Sequence, residues 1–441
     1  MIRRTGNIWL FLAKSMLFLA ALCVFFIGRN IFYSETLFYF WGNFIIILLY
    51  AAPLLFTCKI YNSLLFGGVN FPELILSWLL CLIITNVLEY LQLSLLVSKL
   101  LSAAGFFAIF FAQLAIIIPA TFFIDKFYYY LNPAHKAVII YSGEEKAAKY
   151  RKILKEHHKK FEVDRIVPQS LPRETLRNYI DESESVFFLD VDESNMGPLL
   201  EYCYRRNKRI YILPTFSSVL INTAKISWIS NTPMFLPQSP VLDLGTRTVK
   251  RCMDILISLL ALVLLGWLML IVLCVIRVYD RQPAIYRQVR VTRGGKLFTL
   301  YKFRSMRIDA EDDGVPRLAA KDDSRITAVG RFIRKTRIDE LPQLFNVLFG
   351  SMSLVGPRPE RPEIAKKYEA KYPNFSFRTK VKAGITGFAQ IYGRYNTDPD
   401  EKLFLDIMYI ESFSIWQDLK LILQTVKIIF MPSSAEGIPQ K

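Results

Sequence analysis

Cysteine and histidine are scarce in this chain, six and three among 441 residues. The cysteines stand far apart, Cys23, Cys81 and Cys274 inside apolar runs, and no pair has the close spacing of a metal site or redox dithiol. They read as reduced packing residues. His157 and His158 lie side by side on a basic stretch with no third ligand near, which argues against a histidine metal centre. The glycine-rich GxGxxG turn is missing too, so a dinucleotide fingerprint is excluded. No small-residue cleavage site follows Phe25, Phe26 and Ile27, and the first apolar segment reads as a retained span rather than a signal peptide. Acidic residues are in deficit, 38 against 55 basic, for a formal charge of +17. Such an excess suits nucleic acid, anionic lipid or phosphorylated substrates. Apolar residues, in contrast, make up 53% of the chain, and the mean hydropathy of +0.29 points to a membrane protein. That preference favours lipid and phosphorylated substrates, with no role for nucleic acid.

Four apolar stretches, residues 8–27, 36–56, 74–97 and 102–124, are each long enough to cross a bilayer as a helix. Arg3, Arg4 and Lys14 at the entrance and Lys126 and Lys136 at the exit place both ends of this four-span domain, residues 1–130, in the cytoplasm. The outer loops carry only Arg29 and Lys99. Glu89, deep in the third span, must face the bundle interior, either on a substrate path or in a hydrogen bond between helices.

Residues 135–240 turn soluble. KAVIIYSG, ESVFFLD and RIYILP read as buried strands, and the segments between them as amphipathic helices. Alternation of this kind predicts a small parallel, Rossmann-like sheet, structural or regulatory in role.

A fifth apolar run fills residues 252–276, with Arg247, Lys250 and Arg251 before it and Arg277, Arg281, Arg287, Arg290 and Arg293 after it. Its length permits a full crossing; basic flanks on both sides favour a helix that dips in and returns, with Gly266 as the place to bend. Beyond it, RVTRGGKLFTLYKFRSMRID reads as two strands around Gly294-Gly295, ending in Lys302, Arg304 and Arg307, a cluster suited to phosphate or to a solvated basic surface. Residues 309–327 form an acidic, exposed loop able to close over a substrate. The last helix, SIWQDLKLILQTVKIIF, aligns Leu419, Ile422, Leu423, Val426, Ile429 and Phe430 on one face, as a core or membrane-surface helix does.

The densest chemistry lies in RKTRIDELPQLFNVLFGSMSLVGPRP, residues 334–359. Asp339 and Glu340 are adjacent carboxylates between Arg334, Lys335 and Arg337 and an apolar helical run. Pro342 belongs in a first turn, so Asp339 sits near a helix start, where the dipole favours the ionised form. An ionised Asp339 can cap that helix or serve as a nucleophile.

At KFRSM (302–306), DDSRIT (322–327), RIDELPQLFNVLFGSMSLVGPRP (337–359) and GITGFAQIYGR (384–394) the chain resembles the bacterial sugar transferases, monotopic polyprenyl-phosphate phosphoglycosyl transferases that initiate exopolysaccharide, capsule or O-antigen synthesis. The resemblance implies a four-span helical bundle, a Rossmann-like α/β domain and a monotopic α/β catalytic domain, residues 245–441, with a re-entrant helix over 250–279. It implies transfer of a sugar 1-phosphate from a UDP-sugar to undecaprenyl phosphate with Mg²⁺ as cofactor, releasing UMP, at the cytoplasmic face of the bacterial inner membrane and among its lipids. Carried over residue by residue, Asp339 is the nucleophile and Glu340 the metal ligand, Lys302, Arg304, Arg334, Arg337 and Arg358 are the phosphate-binding cations, and Asp406 is an additional acid. Gly384, Gly387, Gln390 and Arg394 would shape the nucleotide pocket. Many members break the re-entrant helix at Ser-Pro, where this chain has Leu265-Gly266-Trp267-Leu268. Two other readings stand beside this one: a catalytically silent scaffold for polysaccharide assembly, and direct transfer without a covalent step. The sugar and the oligomeric state, a homo-oligomer included, are left open by the sequence.

Overall fold

The computed structural model describes residues 2–36, 41–237, 243–281, 283–311, 323–393 and 398–431. Contacts divide the chain into two units, Met1–Leu213 and Pro214–Lys441.

The first unit opens with four helices, α1 (Ile2–Phe32), α2 (Gly42–Tyr61), α3 (Phe71–Leu96) and α4 (Ala103–Leu131), each with a segment long and apolar enough to cross a membrane. Polar side chains are turned inward. The Tyr50 hydroxyl donates to Asn86 (2.9 Å), and the Asn86 amide donates to Gln113 (2.7 Å). Glu89 faces the interior as expected, with Arg29 as the cation acting on it. Arg29, assigned to an outer loop from the sequence, is instead fully buried at the end of α1, donating Nε to Thr36 (3.1 Å) and Nη2 to Asn43 (2.9 Å). A guanidinium can stay in a helix at this depth because several acceptors converge on its donors.

The chain then forms a parallel sheet from β1 (His135–Tyr141), β2 (Phe161–Pro168), β3 (Ser185–Leu189) and β4 (Arg209–Ile212), ordered β2-β1-β3-β4, with α5 (Glu144–Glu156), α6 (Arg173–Glu182) and α7 (Glu193–Arg205) as crossovers. β1 and β3 are the apolar central strands; β2 carries Glu162, Asp164 and Arg165 and takes the edge, where polar side chains reach water.

The second unit starts with α8 (Phe216–Thr223), whose Val219 packs with Phe375, Leu403 and Ile407. A two-stranded hairpin, β5 (Lys225–Ile229) and β6 (Thr232–Leu236), precedes α9 (Leu244–Asp280), which is capped by Asp243 Oδ2 accepting from Thr246 N (3.1 Å). Helix α9 runs through Gly266 without interruption, since a leucine-rich run with no proline keeps every backbone donor in the helical ladder. It is the fifth helix apolar enough to cross a membrane.

After α9 come the hairpin β7 (Ile285–Val291) and β8 (Leu297–Phe303), turning through Gly294 and Gly295 at φ 68° and 74°, then α10 (Ala328–Lys335), α11 (Gln343–Leu348) and β9 (Ser353–Val355). The chain continues through α12 (Pro362–Lys371), β10 (Gly384–Thr386), α13 (Phe388–Ile391), α14 (Pro399–Glu411) and α15 (Ile415–Ile429), with β10 parallel to β9. The apolar face of α15 is only partly covered. Asp418, Leu421, Gln424, Lys427 and Ile428 turn inward, because Asp418 pairs with Lys250 and Gln424 accepts from the Tyr392 hydroxyl (3.0 Å). Most of the acidic loop expected over 309–327 lies outside the described residues.

Candidate active site

The dyad is aimed by a short irregular link. Between α10 and α11 the backbone makes one 3₁₀ turn, Ile338–Glu340, entered through Arg337 in the left-handed region (φ 55°). A non-glycine residue there costs about 1–2 kcal/mol, and the reversal turns Asp339 inward, where it is only 8% exposed. Beneath it, Asn346 of α11 locks the hairpin in place, its Oδ1 accepting from Tyr301 N (3.0 Å) and its Nδ2 donating to the Thr299 carbonyl (2.7 Å). Lys302, the next residue along β8, thereby meets the dyad: its Nζ lies 3.2 Å from Glu340 Oε1. Arg358, in the Pro-Arg-Pro segment after β9, donates Nη2 to the same oxygen at 2.8 Å.

The two neighbouring acids are thus driven apart. Burial opposes the charge on Glu340, but Arg358, Lys302 and Arg337 more than offset it and hold that carboxyl well below the usual carboxylate range. Asp339 is pushed up to about 6, mainly by burial and further by the charge on Glu340, with Lys302, Arg334 and Arg358 pulling the other way. At neutral pH both are ionised, one firmly fixed by cations, the other poorly solvated and close to its protonation midpoint. A desolvated carboxylate flanked by cations is suited to attack an electrophile that carries negative oxygens.

A second layer holds Arg358. Arg378 is buried and donates Nη2 to the Arg358 carbonyl (2.8 Å) and to Asp406 Oδ2 (2.6 Å). Arg290 donates Nη1 to the Pro359 carbonyl (3.0 Å). Asp406, expected as an additional active-site acid, is 1% exposed and committed to Arg378 from below; burial pushes its carboxyl up to about 6 against the pull of that guanidinium. Gly384 and Gly387 are tight packing positions: a Cβ at Gly384 would stand 2.1 Å from Gly356 N, and one at Gly387 2.4 Å from Gly356 O. Gln390 is half-buried and donates to the Ile385 carbonyl (3.3 Å). Arg304 turns its Nε to the Pro283 carbonyl (2.9 Å) instead of the dyad. Arg394 lies outside the described residues.

Sequence reasoning missed Arg378, Arg290 and Asn346. Asn346 left a signal, an amide in the middle of the apolar run 341–349, where only a satisfied polar group is tolerated; the two arginines left none among so many others.

One face of α9 carries the rest of the domain. Arg251 caps α11, donating to the Val347 and Leu348 carbonyls (2.6 Å each), Asp254 accepts from Leu354 N (3.1 Å), and Lys250 pairs with Asp418. Further along, Ile257, Ala261 and Leu262 pack on Leu300, Val347 and Leu354, and Met269, Val272 and Ile276 pack on Phe303 and Ile333. The opposite face leaves Leu256, Leu260, Val263, Leu264, Trp267 and Leu270 exposed.

The family described as bacterial sugar transferase matches residues 245–432, the stretch that holds every residue of this site. The chain is 42% identical over 226 residues to a UDP-glucose:undecaprenyl-phosphate glucose-1-phosphate transferase of Klebsiella pneumoniae, covering 50% of this chain and 48% of that protein. It is 36% identical over 244 residues to an undecaprenyl-phosphate galactose phosphotransferase of Salmonella typhimurium, covering 52% and 50%. A UDP-glucose:undecaprenyl-phosphate glucose-1-phosphate transferase of Caulobacter vibrioides is 37% identical over 204 residues, 45% of this chain and 76% of the relative. The matched part spans about half the length of the first two relatives. With three quarters of the Caulobacter protein covered at that identity, and the dyad and its cations inside the match, the chain belongs to the bacterial sugar transferase family.

Proposed function

We propose that this chain transfers a sugar 1-phosphate from a UDP-sugar to undecaprenyl phosphate, as the relatives' names describe for them, and so begins a polysaccharide repeat unit. The observation that carries the reading is the divided dyad, a buried Asp339 near its protonation midpoint beside a Glu340 fixed by Lys302 and Arg358. In the proposed reaction a carboxylate oxygen of Asp339 attacks the β-phosphorus. The bond from that phosphorus to the bridging oxygen breaks, UMP leaves with the oxygen, and an aspartyl phosphosugar forms. A phosphate oxygen of the lipid then attacks the same phosphorus and returns the electron pair to Asp339. Arg358 and Lys302 balance the charge on the diphosphate, and Arg378 holds Arg358 in position.

The donor set also fits Mg²⁺. Among the described residues no group of three or more His, Cys, Asp or Glu side chains gathers as a metal cage. Two dyad carboxylates completed by substrate phosphates and water are nevertheless the surroundings this ion accepts. Glu340, with Asp339 beside it, would hold it, and it would supply charge neutralisation at the diphosphate.

The same reading includes a Rossmann-like module in the first unit and an α9 seated in the cytoplasmic leaflet of the inner membrane, with both of its ends on the cytoplasmic side. Support for the latter comes from the packing. The domain lies along α9 from Lys250 to Ile276, roughly 39 Å of helix at 1.5 Å per residue. A hydrocarbon core is about 30 Å thick, so a full crossing would drag the charged domain into lipid. The exposed apolar face instead suits a helix seated in one leaflet with its other face dressed by protein.

The test is release of UMP. Membranes holding the full chain, given undecaprenyl phosphate, Mg²⁺ and a panel of UDP-sugars, should release UMP with one or a few of the sugars; release with none would sink the proposal. For topology, a cysteine placed at the exposed turn residue Lys296 should react with a membrane-impermeant maleimide in inside-out vesicles and not in intact cells. Labelling in intact cells would refute the re-entrant assignment.

A further inference from the structure

Within the first unit, a cleft of about 180 Å³ opens where the helical bundle ends and the parallel sheet begins. It takes no part in the proposed transfer chemistry and its two sides have opposite character. On the bundle side stands Asp125 of α4, 8% exposed, with Oδ1 buried and without a hydrogen-bond partner among the described residues. On the sheet side the turn from α5 to β2 presents His157, His158, Lys159 and Lys160. Lys159 acts on Asp125 electrostatically, and its Nζ stands 5.4 Å from the centre of the Tyr129 ring. The loop before α3 forms another wall, and it is built closely: Gly67 has φ 71° and lies against the Tyr128 ring, which a Cβ would meet at 1.9 Å.

An unpaired carboxylate oxygen at this depth costs about 1–3 kcal/mol or more, because its water is stripped and nothing replaces it. The group that would satisfy it is a donor, and a cationic one at best advantage. The neighbouring basic turn asks for the opposite, an anion with several acceptor oxygens. Glu156 also borders the cleft but has partners of its own. Position adds a third constraint. Asp125 lies six residues before the end of α4, about 9 Å along the helix, which puts the cleft at the level of lipid headgroups if α4 spans the bilayer.

We propose that this cleft binds a phosphoethanolamine headgroup, its ammonium on Asp125 and its phosphate on the His157–Lys160 turn. A primary ammonium carries three N–H donors and can satisfy Oδ1, whereas a choline has none and a glycerol headgroup lacks the charge. The headgroup can come from a membrane phospholipid or from a soluble phosphoethanolamine. The site is separate from the dyad, so its occupation would bear on the seating of the bundle rather than on bond-making.

The test is native mass spectrometry of the full chain released from nanodiscs of phosphatidylethanolamine, phosphatidylcholine or phosphatidylglycerol, with soluble O-phosphoethanolamine as a separate arm. Wild type should retain phosphatidylethanolamine at least fivefold over the other two. Asp125→Asn should abolish the preference for ethanolamine over glycerol, and Lys159→Ala with Lys160→Ala should lower retention of all three. Circular dichroism and elution volume report whether each variant folds. His158→Ala, at an exposed position, is a milder second probe that should weaken phosphate retention alone. Binding of O-phosphoethanolamine without retention of the lipid would identify the soluble source, and retention of the lipid the membrane one. Equal retention of the three lipids by wild type with no binding of O-phosphoethanolamine, or a preference that survives in folded Asp125→Asn, overturns the proposal.

Discussion

Replacing Asp339 by Asn should stabilise this protein while removing the proposed nucleophile. Burial and the charge on Glu340 raise the Asp339 carboxyl from its ordinary 3.8 to about 6, in spite of Lys302, Arg334 and Arg358. The folded chain therefore holds a proton that the unfolded chain releases between those two values. Stability from this group is present at low pH and is lost as pH rises from about 4 to about 6. A gap of about 2 pH units at about 1.4 kcal/mol each makes the ionised group cost on the order of 3 kcal/mol at pH 7.5. Asn fills the same space without the charge. For domains of 150–250 residues each kcal/mol moves Tm by about 2–4 °C, so Asp339→Asn should melt about 6–12 °C above wild type at pH 7.5. At pH 4.5, where folded wild type has taken up its proton but the unfolded chain is still mostly ionised, the difference should shrink to about 1 kcal/mol, or about 2–4 °C. Thermal unfolding in one detergent at both pH values is the assay. A variant that melts lower than wild type at pH 7.5, or gains equally at both pH values, would refute the assignment of a costly buried charge.

Activity should follow the same ionisation: kcat/KM for UMP release should fall tenfold per pH unit below about 6, and Lys302→Met, which removes a cation, should move that limb to higher pH. Asp406→Asn leaves the buried Arg378 with Glu360 (3.7 Å) as its charged partner, and UMP release should fall as Arg358 loses its support. Gly384→Ala, whose Cβ would stand 2.1 Å from Gly356 N, should displace the Pro357–Pro359 segment and cut UMP release at least tenfold. Gly266→Ala makes the contrast: nothing lies within 4 Å of the added methyl, so the variant should stay active and gain about 0.5–1 kcal/mol of helix stability.

The five apolar helices and the strands β1, β3 and β4 were legible because each is an apolar run of a single period. Edge strand β2 was not, since Glu162, Asp164 and Arg165 hide its alternation, and they are tolerated because an edge meets water. In α15 the apolar stripe marked an amphipathic helix, but its inward face also holds Asp418 and Gln424, whose partners Lys250 and Tyr392 lie on other elements and leave no local trace. The dyad with Lys302 and Arg358 was readable as a pattern of residue types. How Arg378, Arg290 and Asn346 support that pattern depends on long-range contacts, Arg378 to Asp406 and Asn346 to Thr299, which spacing alone does not encode. Arg29 shows the reverse: a charge assigned to a loop because charges avoid lipid was kept inside a helix by acceptors from Thr36 and Asn43.

The most direct test of the central claim is to trap the aspartyl phosphosugar. Membranes holding the full chain are incubated with Mg²⁺ and a UDP-sugar labelled in the β-phosphate, without undecaprenyl phosphate, and the protein is isolated under denaturing conditions. Label on wild type, its release on adding the lipid acceptor, and its absence from Asp339→Asn are the predicted results. An Asp339→Asn enzyme that turns over at the wild-type rate, or a wild type that releases UMP in a burst and carries no label, would contradict a covalent step at Asp339.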